Sequence, residues 1–196
     1  MRGWMTGRGG RVLAALGLFY AGIGGMANHA AAQDAATLEA LREGDMRKLA
    51  IHSEPRDLPG ETFTDPDGNP FTLADWQGKV ILLNFWATWC APCREEMPDL
   101  DALNADLGGD DFEVVTIASG RNSLSGIRAF FDQQNIETLP ILLDPQGQVS
   151  RRAGVLGLPV TVLMDREGRE IARLQGGAHW NAPEARAIIE AAIAGG

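Results

Sequence analysis

Val80 to Glu96 reads VILLNFWATWCAPCREE, and the fold turns on how this stretch is read. Val80 to Trp86 is almost wholly apolar and β-prone, the composition of a strand covered on both faces. Glu95, Glu96 and the apolar positions after them begin a helical period. Cys90-Ala91-Pro92-Cys93 therefore falls where a strand ends and a helix starts. At a helix start, unpaired backbone N–H groups and the positive end of the macrodipole favour a thiolate over a thiol, which makes Cys90 the expected nucleophile. Two intervening residues across the first turn let Cys93 close a small disulfide ring with Cys90, so that a mixed disulfide can be resolved from within. Pro92 is compatible with this, because a first-turn proline gives up only an N–H that the helix would not use.

The pair admits two other readings. A purely structural disulfide is one, although so short a ring restrains little chain. Half of a zinc site is the other, but zinc takes four ligands and these are the only two cysteines of the chain. His29, His52 and His179 stand singly and are expected to face solvent. No metal site is expected, and no cofactor beyond the cysteine pair.

The 196 residues carry a formal charge of −9, unevenly spread. All 26 acidic residues follow residue 33, whereas Arg2, Arg8 and Arg11 precede it; the remainder has fourteen basic residues against those 26, a charge of −12. So acidic a surface repels phosphate backbones and argues against a nucleic-acid partner. The three arginines are followed by VLAALGLFYAGIGGMA, residues 12–27, and then Ala30-Ala31-Ala32. Basic, apolar, then small is the order of an export signal, and the apolar run is shorter than the ~20 residues of an ordinary membrane-spanning helix. Residues 1–32 are thus expected to be a signal peptide or a retained membrane anchor, either of which places the rest outside the cytoplasm.

Residues 33–59 read as a partly helical tether, with a weak helical pattern in Leu38, Leu41, Met46 and Leu49 and a linker end at Pro55 and Pro59-Gly60. Residues 60–196 are the expected domain. Residues 63–73 predict a hairpin turning at Asp67-Gly68. Past a helix reaching about Leu107, residues 112–118 predict a second buried strand and 125–134 a helix with Ile127, Phe130 and Phe131 inward. A short strand near 139–143, an extended or helical return over 148–153, a hairpin of 160–164 with 170–174, and a helix over 183–194 follow. That last helix is expected to bury Ala187, Ile188, Ala191 and Ala192. Strands alternating with helices before a closing hairpin predict a mixed sheet with helices on both faces.

On Phe85-Trp86-Ala87-Thr88-Trp89-Cys90-Ala91-Pro92-Cys93-Arg94-Glu95-Glu96-Met97-Pro98, Gly157-Leu158-Pro159-Val160-Thr161 and Trp180-Asn181-Ala182-Pro183-Glu184, the chain resembles the thioredoxin superfamily. Within it, the match is to the exported or membrane-linked branch of TlpA- and ResA-type thiol:disulfide oxidoreductases, above all to its TlpA-type members, over about residues 59–194. The resemblance implies an α/β thioredoxin-like fold: a central mixed β-sheet flanked by helices, with an N-terminal β-hairpin and an inserted strand-containing segment between Cys93 and Pro159. It implies a disulfide Cys90–Cys93, a cis peptide before Pro159 lying beside the cysteines, and a Leu158 backbone facing outward to pair with a substrate strand. Trp89 would belong to the apolar contact surface, with Trp86 packed nearby. Thioredoxin itself keeps a buried aspartate on the central strand; the matching position here is Asn84. The resembling branch uses instead a glutamate of the active-site helix, which maps onto Glu96, and partial burial would raise its pKa and let it exchange protons with Cys93.

The activity so implied is reduction of disulfides in other exported proteins, on the periplasmic side of the bacterial inner membrane. Expected partners are a respiratory oxidase subunit with copper-site cysteines, its copper chaperone or apocytochrome c, together with a membrane thiol donor that restores the dithiol. Two rivals share these residues. One is a metallochaperone holding Cu(I) between Cys90 and Cys93, which lacks a Met- or His-rich supplement here. The other is a peroxide-reducing enzyme, whose threonine three residues before the cysteine is here Ala87.

Overall fold

A computed structural model describes residues 34–58 and 60–195. The export segment and His29 lie outside the described residues. The expected central strand is β4, Val80–Trp86, buried at every position. Around it one eight-stranded sheet runs in the order β1 (Ala50–Asp57), β8 (Arg169–Gln175), β7 (Val160–Met164), β4, β5 (Phe112–Ser119), β6 (Leu142–Asp144), β2 (Phe63–Thr64), β3 (Pro70–Phe71). β4, β5 and β6 are parallel to one another, while β7 pairs antiparallel with β4 through Asn84↔Thr161 and Phe85↔Val160. The sheet is mixed, as expected of a thioredoxin-like fold.

Alternation along β4 divides the core in two. Val80, Leu82 and Trp86 pack with α2 (Ala91–Leu107), α3 (Leu124–Gln134) and α5 (Pro183–Gly195). Ile81, Leu83 and Phe85 point to the opposite face, where Val149 of α4 (Gln148–Arg152), Leu73 of the 3-10 helix Leu73–Trp76 and Phe63 of the β2–β3 hairpin cover them. The hairpin turns where expected: Gly68 has φ +86°, and Asp65 Oδ1 accepts the N–H groups of Asp67 and Asn69 at 2.9 Å each. α2 packs on the sheet, mainly against β5, and buries Cys93, Met97, Leu100 and Leu103 without exposed surface; each buried aliphatic side chain of this size contributes about 1.5–3 kcal/mol. α3, β6 and α4 form the inserted strand-containing segment between β5 and β7.

Three expectations are corrected. The stretch expected to be a tether is built into the domain over residues 34–58: residues 34–40 form α1, Gly44–Lys48 a 3-10 helix, and Ala50–Asp57 an edge strand antiparallel to β8. Leu38, Met46 and Leu49 are core residues. β1 is mostly polar and contains Pro55, so its sequence reads as linker; the strand exists because β8 pairs with it, and the proline sits where the register shifts between Ile51 and Arg56, a place an edge strand tolerates. His52 does not face solvent: it lies buried on β1, with Nε2 2.7 Å from Glu170 Oε1, whereas His179 is exposed. α5 buries Ile188 and Ala192 as expected, but with Ala185 and Ile189 in place of Ala187, and Ala191 packs against the core only partly buried; the helix meets the first 3-10 helix.

Candidate active site

Where β4 runs out, the chain makes one tight turn and enters α2, and Cys90 is the N-cap of that helix. Its Sγ accepts the backbone N–H of Cys93 at 3.3 Å, so a helix-start donor already points at this sulfur. Cys90 and Cys93 form a disulfide with Cα atoms 5.3 Å apart. Their exposure is unequal: Cys90 keeps 6% of its surface and Cys93 none. The sulfur that solvent or a partner can approach is that of Cys90, with Cys93 behind it.

The turn ahead of Cys90 is pegged to the neighbouring strand. Thr88 donates both its N–H (2.8 Å) and its hydroxyl (3.0 Å) to Asn122 Oδ1, and Asn122 Nδ2 donates to the carbonyl of Ser119 at the end of β5 (3.0 Å). Trp89 stands out from this turn, 66% exposed, while Trp86 is buried against Phe130 and Phe131. Arg94 lies over the Phe130 ring at 5.0 Å and shields that cluster.

The antiparallel β4–β7 pairing brings residues 155–159 to the same end of the sheet. The Leu158–Pro159 peptide is cis, and the Pro159 carbonyl accepts the N–H of Gly176 at 2.9 Å. Leu158 is half-buried beside it, and Leu156 projects with 97% of its surface exposed. Trp89 and Leu156 are the exposed large apolar side chains among the described residues, and both border the cysteines' end of the sheet.

Glu96 lies one turn beyond Cys93 on the face of α2 that meets β4, with 3% of its surface exposed; its neighbour Glu95 is solvated. Asn84 Nδ2 donates to Glu96 Oε1 (2.8 Å), while the Ala178 N–H (3.1 Å) and Trp180 Nε1–H (3.2 Å) donate to Oε2. Burial pushes its pKa up from 4.5 to about 7, against the lowering effect of those three hydrogen bonds, with Asp99 adding a smaller upward push. The loop that supplies Ala178 and Trp180 is braced by the first 3-10 helix: Asp45 Oδ2 accepts the His179 N–H at 3.1 Å and Lys48 Nζ donates to the Gly177 carbonyl at 3.3 Å.

The fold thus brings Trp89, Cys90, Cys93, Glu96, Leu158 and Pro159 to one end of the sheet. Reading the sequence alone missed Asn122, the Thr161 hydroxyl that accepts the second Asn84 Nδ2 proton at 2.9 Å, and the role of the loop at Ala178. Asn122 follows the end of a parallel strand beside the central one, a position where functional residues of α/β sheets collect, and that placement was its available signal. Among the described residues no group of three or more His, Cys, Asp or Glu side chains is placed to hold a metal ion.

With this geometry in place, the comparisons with known proteins agree with one another. The Redoxin family model matches residues 53–192. The chain is 30% identical to the thiol-disulfide oxidoreductase ResA of Bacillus thuringiensis subsp. konkukian over 121 residues, 62% of this chain and 69% of that protein. Among solved structures, it is similar to a candidate thiol:disulfide interchange protein DsbE from Chlorobium tepidum: TM-score 0.63, 28% identity, covering 71% of this chain and 97% of that one. It is also similar to the exposed lipoprotein thioredoxin Etrx1 of Streptococcus pneumoniae, with TM-score 0.54, 30% identity, and 66% and 95% of the two chains covered.

Proposed function

The chain belongs to the Redoxin family and is a thiol-disulfide oxidoreductase, and from that premise we propose that it works outside the cytoplasm, chiefly as a reductant of disulfides in other exported proteins. The observation that carries the reading is the unequal cysteine pair: Cys90 at the mouth of a helix N-terminus, Cys93 enclosed behind it, and a buried carboxyl one turn further on. Cys90 thiolate attacks one sulfur of the target disulfide and releases the other as a thiolate. Glu96 takes the Cys93 proton, and Cys93 then attacks Cys90 and frees the target's second thiol. Two electrons pass to the target; its two thiolates take up the proton held by Glu96 and one from solvent, which replaces the proton Cys90 lost on ionising, and Cys90–Cys93 is left as the disulfide. In an oxidising compartment a membrane thiol donor restores the pair, its own dithiol becoming a disulfide. A substrate strand lies against the backbone of Leu158 beside Pro159, with Trp89 in contact with it.

Export rests on the order of residues in 1–32, and the similarity to an exposed lipoprotein thioredoxin is in keeping with it. The resemblance to TlpA- and ResA-type proteins points to copper-site cysteines of an oxidase subunit, its copper chaperone or apocytochrome c as targets.

Full-length Cys93→Ser protein, expressed with its own signal, tests the reading. It is expected to accumulate mixed disulfides with exported proteins that dithiothreitol releases, while Cys90→Ser accumulates none and the parent reduces insulin. A reduction potential as high as that of dedicated disulfide donors, about −120 mV, would overturn the reductant assignment, and cytoplasmic proteins alone in the trap would overturn export.

A further inference from the structure

Among the described residues, one buried side-chain nitrogen or oxygen has no hydrogen-bond partner, the Oδ1 atom of Asn84. Buried acceptors are seldom left so, and one that is calls for an explanation. Asn84 is fully buried on β4, on the face where its neighbours Leu82 and Trp86 pack with Cys93 and Met97. Its amide orientation is set by its partners, because both Nδ2 protons are used, one on Glu96 Oε1 at 2.8 Å and one on Thr161 Oγ1 at 2.9 Å. Turning the amide over would set its oxygen against the Glu96 carboxylate.

In the disulfide state neither cysteine can donate to this oxygen. With Cys90 and Cys93 joined, neither sulfur carries a proton. Reduction by a dithiol donor breaks the S–S bond, delivers two electrons and two protons, and leaves the donor as a disulfide. Cys93 then becomes an S–H in a site with no exposed surface. Glu96 already meets Asn84, and Cys93, three residues and so about one turn nearer the helix start, is buried in the same cluster as Leu82 and Trp86, the strand neighbours that share a face with Asn84.

We propose that Asn84 Oδ1 is the acceptor of the Cys93 S–H in the reduced protein, so that one amide holds the resolving thiol on its oxygen and the Glu96 carboxylate on its nitrogen. The inference rests on the redox role of the pair given above. Asn84 would bridge the resolving sulfur and its proton acceptor, and the hydrogen bond would exist in one oxidation state only.

The full chain carrying Cys90→Ser has a single thiol, so its infrared S–H band reports Cys93 alone. The band is expected below the frequency of an unbonded thiol, and is expected to return to that frequency when Asn84→Leu is added. In the otherwise unaltered chain, Asn84→Leu should move the exchange equilibrium with glutathione about three- to tenfold towards the disulfide, the range of one ordinary hydrogen bond. A Cys93 band at the unbonded frequency, or one that Asn84→Leu does not move, overturns the proposal. Should Asn84→Leu fail to fold, the carbon-13 resonance of the Asn84 side-chain carbonyl in the unmutated protein decides: it shifts on reduction if the bond forms, and an unchanged resonance overturns the idea. Insulin reduction by the unmutated protein separates the two readings, since activity without the infrared shift removes this inference and leaves the function standing.

Discussion

The indole N–H of Trp180 reaches Glu96 Oε2 at 3.2 Å, joining residues 84 apart in the chain. That contact, with the Ala178 N–H on the same oxygen and the Asn84 amide on the other, gives the buried carboxylate three donors. Three donors lower a carboxyl pKa, and desolvation raises it further than they lower it, to about 7. Neutrality is therefore where this group changes state, a useful property for a proton acceptor beside a resolving thiol.

If Glu96 accepts the Cys93 proton, resolution of a mixed disulfide needs the carboxylate, and its rate should rise as pH increases through about 7. Glu96→Gln removes the acceptor but keeps the shape. Single-turnover release of a trapped substrate should then slow by about 10² or more, the lower end for a lost general base, with no inflection near neutrality. Equal rates and equal pH profiles for the two proteins would dismiss the role.

The same group sets a slope in stability. Its folded pKa of about 7 lies above the ordinary 4.5. The proton is therefore held more tightly in the folded state, and the contribution is full below pH 4.5, declines as pH rises and is gone above about 7. The size is about 3 kcal/mol. Urea unfolding of the parent and of Glu96→Gln at intervals from pH 4.5 to 8 should show the parent losing about that much relative to the variant. A gap that stays constant with pH would contradict the burial argument.

Met46 tests whether the N-terminal segment is part of the domain. It has no exposed surface and packs in the core on the α2 side of the sheet. Met46→Ala should cost about 2–5 kcal/mol in urea unfolding, and a tether would show no loss.

How much of this was legible follows from which interactions are local. The strand–cysteine–helix passage was legible because a continuous apolar run and a helical period are visible within seventeen residues, Val80 to Glu96. β1 was not, because its strand character depends on β8, more than a hundred residues away. Glu96 could be singled out by resemblance, but its surroundings could not: Asn84, Ala178 and Trp180 come from β4 and a loop after β8, and only the folded sheet brings them together. His52 misled because a lone histidine in a polar stretch reads as solvated, and its buried partner Glu170 lies on another strand.

That partner carries its own prediction. Burial alone would raise the Glu170 pKa, but hydrogen bonds and charge from Arg173 and His52 outweigh it and hold the group below its ordinary value. Arg173 grips both carboxylate oxygens, at 2.8 and 2.6 Å. Glu170→Gln should cost about 3 kcal/mol at neutral pH, since it leaves a largely buried guanidinium without its counter-charge. With a depressed folded pKa, the contribution is present above 4.5 and lost as pH falls through the folded value, so the gap between parent and variant should close in acid. A gap that widens there would refute the assignment.

Asn122 is expected to act on catalysis through position alone. Its Oδ1 takes two donors from Thr88, and its Nδ2 ties the assembly to the Ser119 carbonyl, so one side chain pegs the turn carrying Trp89 and Cys90 to the end of β5. Asn122→Ala removes the peg and leaves in place the α2 N-terminus that Cys90 caps. Alkylation of the reduced protein by iodoacetamide, a reagent small enough to need no docking, should keep its rate and pH dependence. Reduction of a protein disulfide requires the attacking sulfur to be aimed, and an ångström of misplacement can cost about 10²; kcat/KM for insulin should fall about ten- to a hundredfold. Thr88→Val, which loses the hydroxyl bond and keeps the backbone N–H to Asn122, should fall between the parent and Asn122→Ala. An Asn122→Ala protein with unchanged kcat/KM would show that the turn holds itself. A parallel loss of alkylation rate would show that the substitution had disturbed the helix start itself, and the positional account would fail.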